Sequence, residues 1–417
     1  MSYRFCYGTN AQCELDSEIA AWIGPDAATT TAVDAVRGLR SALRAPLDFP
    51  ALAEATVPGD TVSVAVANSL PQREAVAVGA TAALCDAGVD PGLITIVLQS
   101  PLEHPERFAQ GCAALDLAPP AIEVHDPRDE SSCSMVGVMQ TDQPLRINRH
   151  LAEADLVLPI LSQSSTAYRP HDASPFAGLY PEFATLADHE PFYAPQAVES
   201  AVQKRTRTAE ADEAGWLMGI LLTVRIVPGP RGTVAGVFAG QPAAVAREAR
   251  QLCQSIWTSA SDARGDLVVA SLVGEPADQT WSNVARALLA AQEFNTRGGA
   301  IVICTQVRDR PGKSLRRLAA SPDYSATERE LRRDRTREAR AATILARAVA
   351  QGTVYLMSEL PPRTVESLGM TPVANEQELN RLLHNYHQCV VIEGAQHLLP
   401  AVAPAVVSRS RLSQSER

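Results

Sequence analysis

The sequence contains no Cys-x-x-Cys pair, although it has eight cysteines: Cys6, Cys13, Cys85, Cys112, Cys133, Cys253, Cys304 and Cys389. Their scatter excludes zinc-finger spacing, and most are expected as reduced core or surface thiols. No apolar run reaches the roughly 18 to 20 residues that span a bilayer. The opening MSYRFCYGTNAQCELDSE has no basic stretch leading into an apolar one and no cleavage signature. A soluble, cytoplasmic protein without membrane contact is therefore expected. Positive charge is in deficit, with 37 Lys and Arg against 47 Asp and Glu and a formal charge of −10. Such a surface repels polyphosphate on average, so sequence-independent nucleic-acid binding is not expected and any anion site must be local.

Common nucleotide and hydrolase signatures are missing as well. No GxGxxG follows a strand pattern, and no GxSxG elbow is present. Pro311 to Ser314 (PGKS) imitates the end of a Walker A loop, but the required glycine five residues before Gly312 is Val307. The arginine-rich stretch from about Ala326 to Ala350 has Glu328, Glu330, Asp334 and Glu338 interleaved, with Asp323 just ahead of it. It reads as a solvated helix with i,i+4 ion pairs.

What is present is a succession of βα units. At 417 residues and 46% hydrophobic content the chain can bury more than one core. Thr61 to Ala67 reads as a buried strand, Glu74 to Ala87 as a helix, and Leu93 to Leu98 as the next strand. A helix around Pro105 to Leu115 leads to a strand at Ala121 to His125. Such alternation needs crossover connections, which predicts α/β architecture with mostly parallel sheets and sites at the carboxyl ends of strands. The loops Asn68 to Arg73 and Gln99 to Glu106 are then the informative ones. Leu145 to Ile160 reads strand, helix, strand. After it Ser, Pro and Gly dominate through about Pro195, a long irregular stretch expected to line a site. Trp216 to Val227 and Thr233 to Ala239, flanking PGPRG, predict a β-hairpin insertion, and a helix follows from Pro242 to about Thr258. A second α/β unit opens near Asp262, with strands at Leu267 to Leu272, Ala300 to Thr305, Thr353 to Met357 and Cys389 to Ile392, and a helix at Trp281 to Phe294. The expected division is two α/β domains, 1–261 and 262–403, facing across a cleft, with a polar tail at 404–417.

In order and spacing, several phrases resemble the nickel-pincer-nucleotide lactate racemase family of 2-hydroxyacid racemases and epimerases. They are Tyr7-Gly8, Ala42 to Leu52, Pro58-Gly59-Asp60 before a strand, Ala152 to Pro159 (AEADLVLP), Val237 to Gly240 (VFAG) and Gly298 to Val302 (GGAIV). The resemblance covers nearly the whole chain. It implies hydride abstraction from a small-molecule hydroxy acid onto a lysine-tethered pincer cofactor, with histidine bases on the substrate hydroxyl and a histidine on nickel.

The implied site residues follow motif by motif. The family's D-x-T-R-P falls on Asn68-Ser69-Leu70-Pro71-Gln72, which makes Asn68, Ser69 and Gln72 cofactor-side candidates without the aspartate or arginine. A-T-G-x-H-R falls near Gln99 to Pro105, with His104 as a candidate base. P-H followed by G-G-x-K and P-G falls on RPHDASPFAGLYPE, giving His171 as the other base and setting Ala177 in the tethering lysine's place. Arg169 is a poor substitute for an amine because guanidinium stays protonated. His189 lies where the family places its nickel histidine. Asn283 and Arg286, one helical turn apart, stand for the family's Q-x-x-K and keep amide and cation for a carboxylate. Each has a competing structural reading: locally bonded loop histidines, a strand-end His125, and an exposed polar face for Asn283 and Arg286. Three functions stay open: a racemase or epimerase, a catalytically silent homologue that binds a small acid or nucleotide, and an unrelated α/β enzyme.

Overall fold

The computed structural model describes residues 3–16, 19–25, 30–164, 168–321 and 323–400. The expected polar tail lies outside them. The chain opens with an antiparallel hairpin, β1 (Tyr3–Tyr7) on β2 (Ala11–Leu15), and a short strand β3 (Ala21–Ile23). A first sheet begins with β4 (Val62–Val66), β5 (Ile94–Leu98) and β6 (Ala121–Val124). After a separate hairpin of β7 (Cys133–Val138) and β8 (Pro144–Asn148), the chain returns to this sheet with β9 (Leu156–Ser162), β10 (Thr223–Pro228) and β11 (Val234–Gly240). Strand order is β11-β10-β9-β4-β5-β6, parallel except for the β10–β11 pair. All five residues of β4 are buried because helices cover both faces.

A two-residue strand, β12 (Thr258–Ser259), precedes the second sheet. This sheet is formed by β13 (Gly265–Ser271), β14 (Asn295–Cys304), β15 (Val354–Met357), β16 (Thr371–Pro372) and β17 (Cys389–Ile392), and β18 (Leu399–Pro400) pairs back on β12. Its order is β16-β15-β14-β13-β17-β3, all parallel. The period of two along β13 separates its faces. Val268 and Ala270 join the core under the helix Trp281–Phe294, while Leu267 and Val269 join Phe5, Cys13 and Leu15 from the N-terminal hairpin. The first residues of the chain thus complete the second sheet, a crossing that a simple cut near residue 261 does not contain.

Two expectations need correcting. The hairpin's first strand starts at Thr223, not Trp216, because the preceding helix continues to Leu217 and ends at Gly219 (φ 66°), with Ile220 N–H bonding the Gly215 carbonyl. The expected hairpin is present as the antiparallel pair β10–β11, which forms one edge of the first sheet. The charged helix is two helices, Tyr324–Leu331 and Ala339–Gln351. Between them Asp334 is drawn to Ser314 Oγ (2.8 Å) and Arg317 Nη1 (2.6 Å).

The first lobe also has a tight helix crossing. A Cβ on Gly79 of the helix Arg73–Asp86 would sit 2.9 Å from Val36 Cα and 2.8 Å from Leu39 Cδ1 of the helix Ala35–Arg44. Gly79→Ala is expected to destabilise by about 1–2 kcal/mol, since overpacking against backbone outweighs the gain in helix propensity. A chemical-denaturation midpoint equal to wild type would contradict this.

Candidate functional site

Both sheets turn strand carboxyl ends toward a cavity of about 320 Å³. From the first sheet come Ala67, Asn68 and Ser69 after β4, Gln99 after β5 and Ser162 at the end of β9. Opposite stand Asn283 and Arg286 on the helix Trp281–Phe294, Asp309 after β14, and Arg337, Glu338 and Arg340 around the start of the helix Ala339–Gln351. The Ser/Pro/Gly-rich stretch supplies Tyr168, Arg169, Pro170, Gly178 and Glu182, as its composition suggested.

That stretch is held by its own charges. Arg169 Nε is 2.7 Å from Asp172 Oδ1, and its Nη1 is 2.8 Å from Glu182 Oε1. Burial alone would raise the Glu182 carboxyl, but His171 and Arg169 overcome it and hold the group well below the usual carboxylate range. Burial likewise works against ionised Asp172, which Arg169, Arg286 and His171 keep depressed. His171 is 2% exposed and stands behind Glu182, Nε2 to Oε1 3.7 Å, with its ring edge-on to Phe192. Tyr168 takes two arginines on its ring, Arg286 at 4.8 Å and Arg340 at 4.7 Å from the centroid. Several buried polar atoms around this cleft have no hydrogen-bond partner: Tyr168 Oη, both ring nitrogens of His171, Glu182 Oε2, His189 Nε2, and the Nε atoms of Arg286 and Arg340. Buried orphans are uncommon in folded proteins, and a gathering of them points to a polar ligand or water. A larger groove of about 860 Å³ lies over the outer helices near Arg37 and Arg107, but these orphan atoms gather at the cleft.

The residues singled out from sequence divide accordingly. Asn68, Ser69, Asn283 and Arg286 line the cleft together. Asn68 Oδ1 is already engaged by Arg73 (3.1 Å) and Ser100 (2.9 Å), and Asn283 Nδ2 donates to the Asp278 carbonyl at 2.7 Å. Gln72 faces the outer groove, in the left-handed region at φ 55°. His104 caps the helix Pro105–Ala113 on the surface, its Nδ1 3.2 Å from Glu106. His189 is buried with Nδ1 2.6 Å from Tyr193 Oη, and burial lowers its pKa to about 4. Ala177 is 1% exposed and packed beside Gly178. Sequence reasoning missed Tyr168, Glu182, Arg337 and Arg340; the long Ser/Pro/Gly stretch was the only pointer to the first two, and nothing in the arginine-rich segment marked the others.

No family model and no curated protein matches the sequence. Solved structures do match it. The lactate racemase apoprotein from Thermoanaerobacterium thermosaccharolyticum aligns over 96% of this chain and 100% of its own, with a TM-score of 0.76 at 15% identity. The chain has the fold of lactate racemase. A protein from Thermotoga maritima covers 89% of this chain and 99% of its own, with a TM-score of 0.62 at 10% identity. Identities this low carry the fold and leave the chemistry to the residues in the cleft.

Those residues do not fit a covalently tethered nickel-pincer nucleotide. The chain has two lysines, Lys204 and Lys313, and neither lines the cleft. Among the described residues no group of three or more His, Cys, Asp or Glu side chains is arranged to hold a metal ion, so His189 gains no companion ligands. No helix among them is long and apolar enough to cross a membrane.

Proposed function

We propose that this lactate-racemase-like protein binds a small 2-hydroxy acid in the cleft, and that it does so as a binding module rather than through the tethered-cofactor reaction. The observation that carries this reading is the gathering of buried, unpartnered polar atoms around Arg286 and Tyr168. Arg286 is attracted by Asp172 but forms no ion pair within 4.0 Å among the described residues, so it offers a cation suited to the ligand carboxylate. Glu182 Oε2 offers an open acceptor for the ligand hydroxyl. A carboxylate held as far down as Glu182 is a good hydrogen-bond acceptor and a weak base, which favours holding the hydroxyl over removing its proton.

A second reading is racemisation or epimerisation of such an acid. It draws support from the buried imidazole–carboxylate pair of His171 and Glu182, Nε2 to Oε1 3.7 Å.

Titration with D- and L-lactate, followed by calorimetry and by fluorescence of Trp281 in the cleft wall, tests the first reading. Arg286→Gln is expected to weaken binding by about 10- to 100-fold, the range of one charge-assisted contact. Absence of binding in wild type would remove the proposal. Interconversion of the enantiomers on a chiral column would replace it with the second reading.

A further inference from the structure

We infer that the acid taken by this cleft carries a second anionic group, and that Arg340 is the residue that selects for it. The inference rests on the carboxylate-binding reading above and adds the ligand class.

Its basis is a charge count at one aromatic ring. Arg286, from the helix Trp281–Phe294, and Arg340, from the helix Ala339–Gln351, stack on the same Tyr168 ring. Among the described residues, the ion pairs formed nearby leave both out. Arg169 uses Asp172 and Glu182, Arg347 uses Glu328 and Glu199, and Arg332 also uses Glu199. Asp309 and Glu338 line the cavity too, and neither lies within the 4.0 Å of an ion pair to Arg286 or Arg340. Both arginines keep a buried Nε without a hydrogen-bond partner, and the Tyr168 hydroxyl is likewise without one. Burial lowers the pKa of each, attraction to Asp172 opposes it in both, and neighbouring cations, Arg169 and Arg340 for Arg286 and Arg347 for Arg340, add to the lowering.

Two guanidiniums confined in a partly desolvated cleft repel; Asp172, already paired with Arg169, attracts both without an ion pair to either, and a lone ligand carboxylate on Arg286 leaves Arg340 without one. A hydroxy acid with a second carboxylate or a phosphate offsets both, and about 320 Å³ accommodates such a molecule. The fork geometry of guanidinium suits either oxyanion, so the shared chemistry is a dianion. Arg340 is then a specificity determinant and Arg286 the common anchor.

Calorimetry on the full chain with L-lactate, L-malate and 3-phosphoglycerate tests this directly. Wild type is expected to hold malate or phosphoglycerate at least about tenfold tighter than lactate, and whichever of the two is tighter identifies the second group. Arg340→Met should bring the dianions down to the lactate level while lactate affinity stays within about twofold, and Arg340→Lys should keep part of the preference. Equal wild-type affinity for lactate and both dianions overturns the inference and leaves carboxylate binding standing, as does an equal loss for all three ligands in Arg340→Met. Failure of wild type to bind any of the three removes both. Should Arg340→Met not fold, the wild-type ranking and Arg340→Lys still decide.

Discussion

Arg225→Met is expected to cost about 3 kcal/mol of stability and to loosen the loop that carries Tyr168, Arg169 and Glu182. Arg225 lies within β10, and its side chain is 3% exposed. Its guanidinium donates to three carbonyls: Ser162 at 3.0 Å, Ser174 at 3.2 Å and Pro175 at 2.8 Å. Burial, and then repulsion from Arg169, lower its pKa to about 9, so the cation is held there at a cost. Removing it returns part of that cost, but each abandoned buried acceptor loses about 1–3 kcal/mol, and the sum favours wild type. The neighbouring tethers hold fewer loop carbonyls: Ser174 Oγ donates to Asp212 at 2.6 Å, and Arg250 donates to the Ala173 carbonyl at 3.1 Å. Urea denaturation reads the stability, and amide exchange over 168–184 reads the loop. Faster exchange there with weaker lactate binding is expected. An unchanged midpoint with unchanged protection would show that the three carbonyls do not depend on Arg225.

The same loop shows how far sequence alone reaches. The strand at β4 was legible because a run of five buried residues in a parallel sheet leaves no polar face to confuse it. The helix Trp281–Phe294 was legible to its ends, with the Thr280 hydroxyl capping Asn283 N–H. The break between Leu331 and Ala339 was not, because it is stabilised by Asp334 reaching a different helix through Ser314 and Arg317. The candidate site divides in the same way. Composition located the irregular stretch, and spacing placed Asn283 and Arg286 on one face. Stacking of Arg340 on Tyr168 joins segments far apart in sequence and leaves no periodic trace. His104 failed to join the cleft for a local reason, since it occupies the cap of a helix that carries it to the surface.

Asp278→Asn is expected to flatten the pH dependence of stability between about pH 4 and pH 7 and to make the protein more stable than wild type above pH 7. Asp278 is 7% exposed, between β13 and the helix Trp281–Phe294, with its carboxyl against Gly274, where a Cβ would come within 2.5 Å of Oδ2. Burial, and then repulsion from Glu275, raise its pKa to about 7, with Arg73 and Arg286 opposing. Glu275 is itself raised, by burial and then Glu74, with Arg73 of the first lobe opposing. The sign follows from proton uptake. An unfolded aspartate titrates near pH 3.9, so between about 4 and 7 the folded chain binds the extra proton, and stability falls as pH rises through that window. Above it the folded chain carries the full cost of a buried, repelled carboxylate, on the order of 2–4 kcal/mol. An amide of the same shape carries none of it. Denaturation midpoints at pH 5 and pH 8 give the comparison: wild type should lose stability between them relative to the variant. Glu275→Gln should do the same in part, by removing the repulsion that helps hold the Asp278 proton. Parallel profiles for wild type and Asp278→Asn would mean that Asp278 is ionised in the folded protein throughout, with Arg73 and Arg286 outweighing its burial.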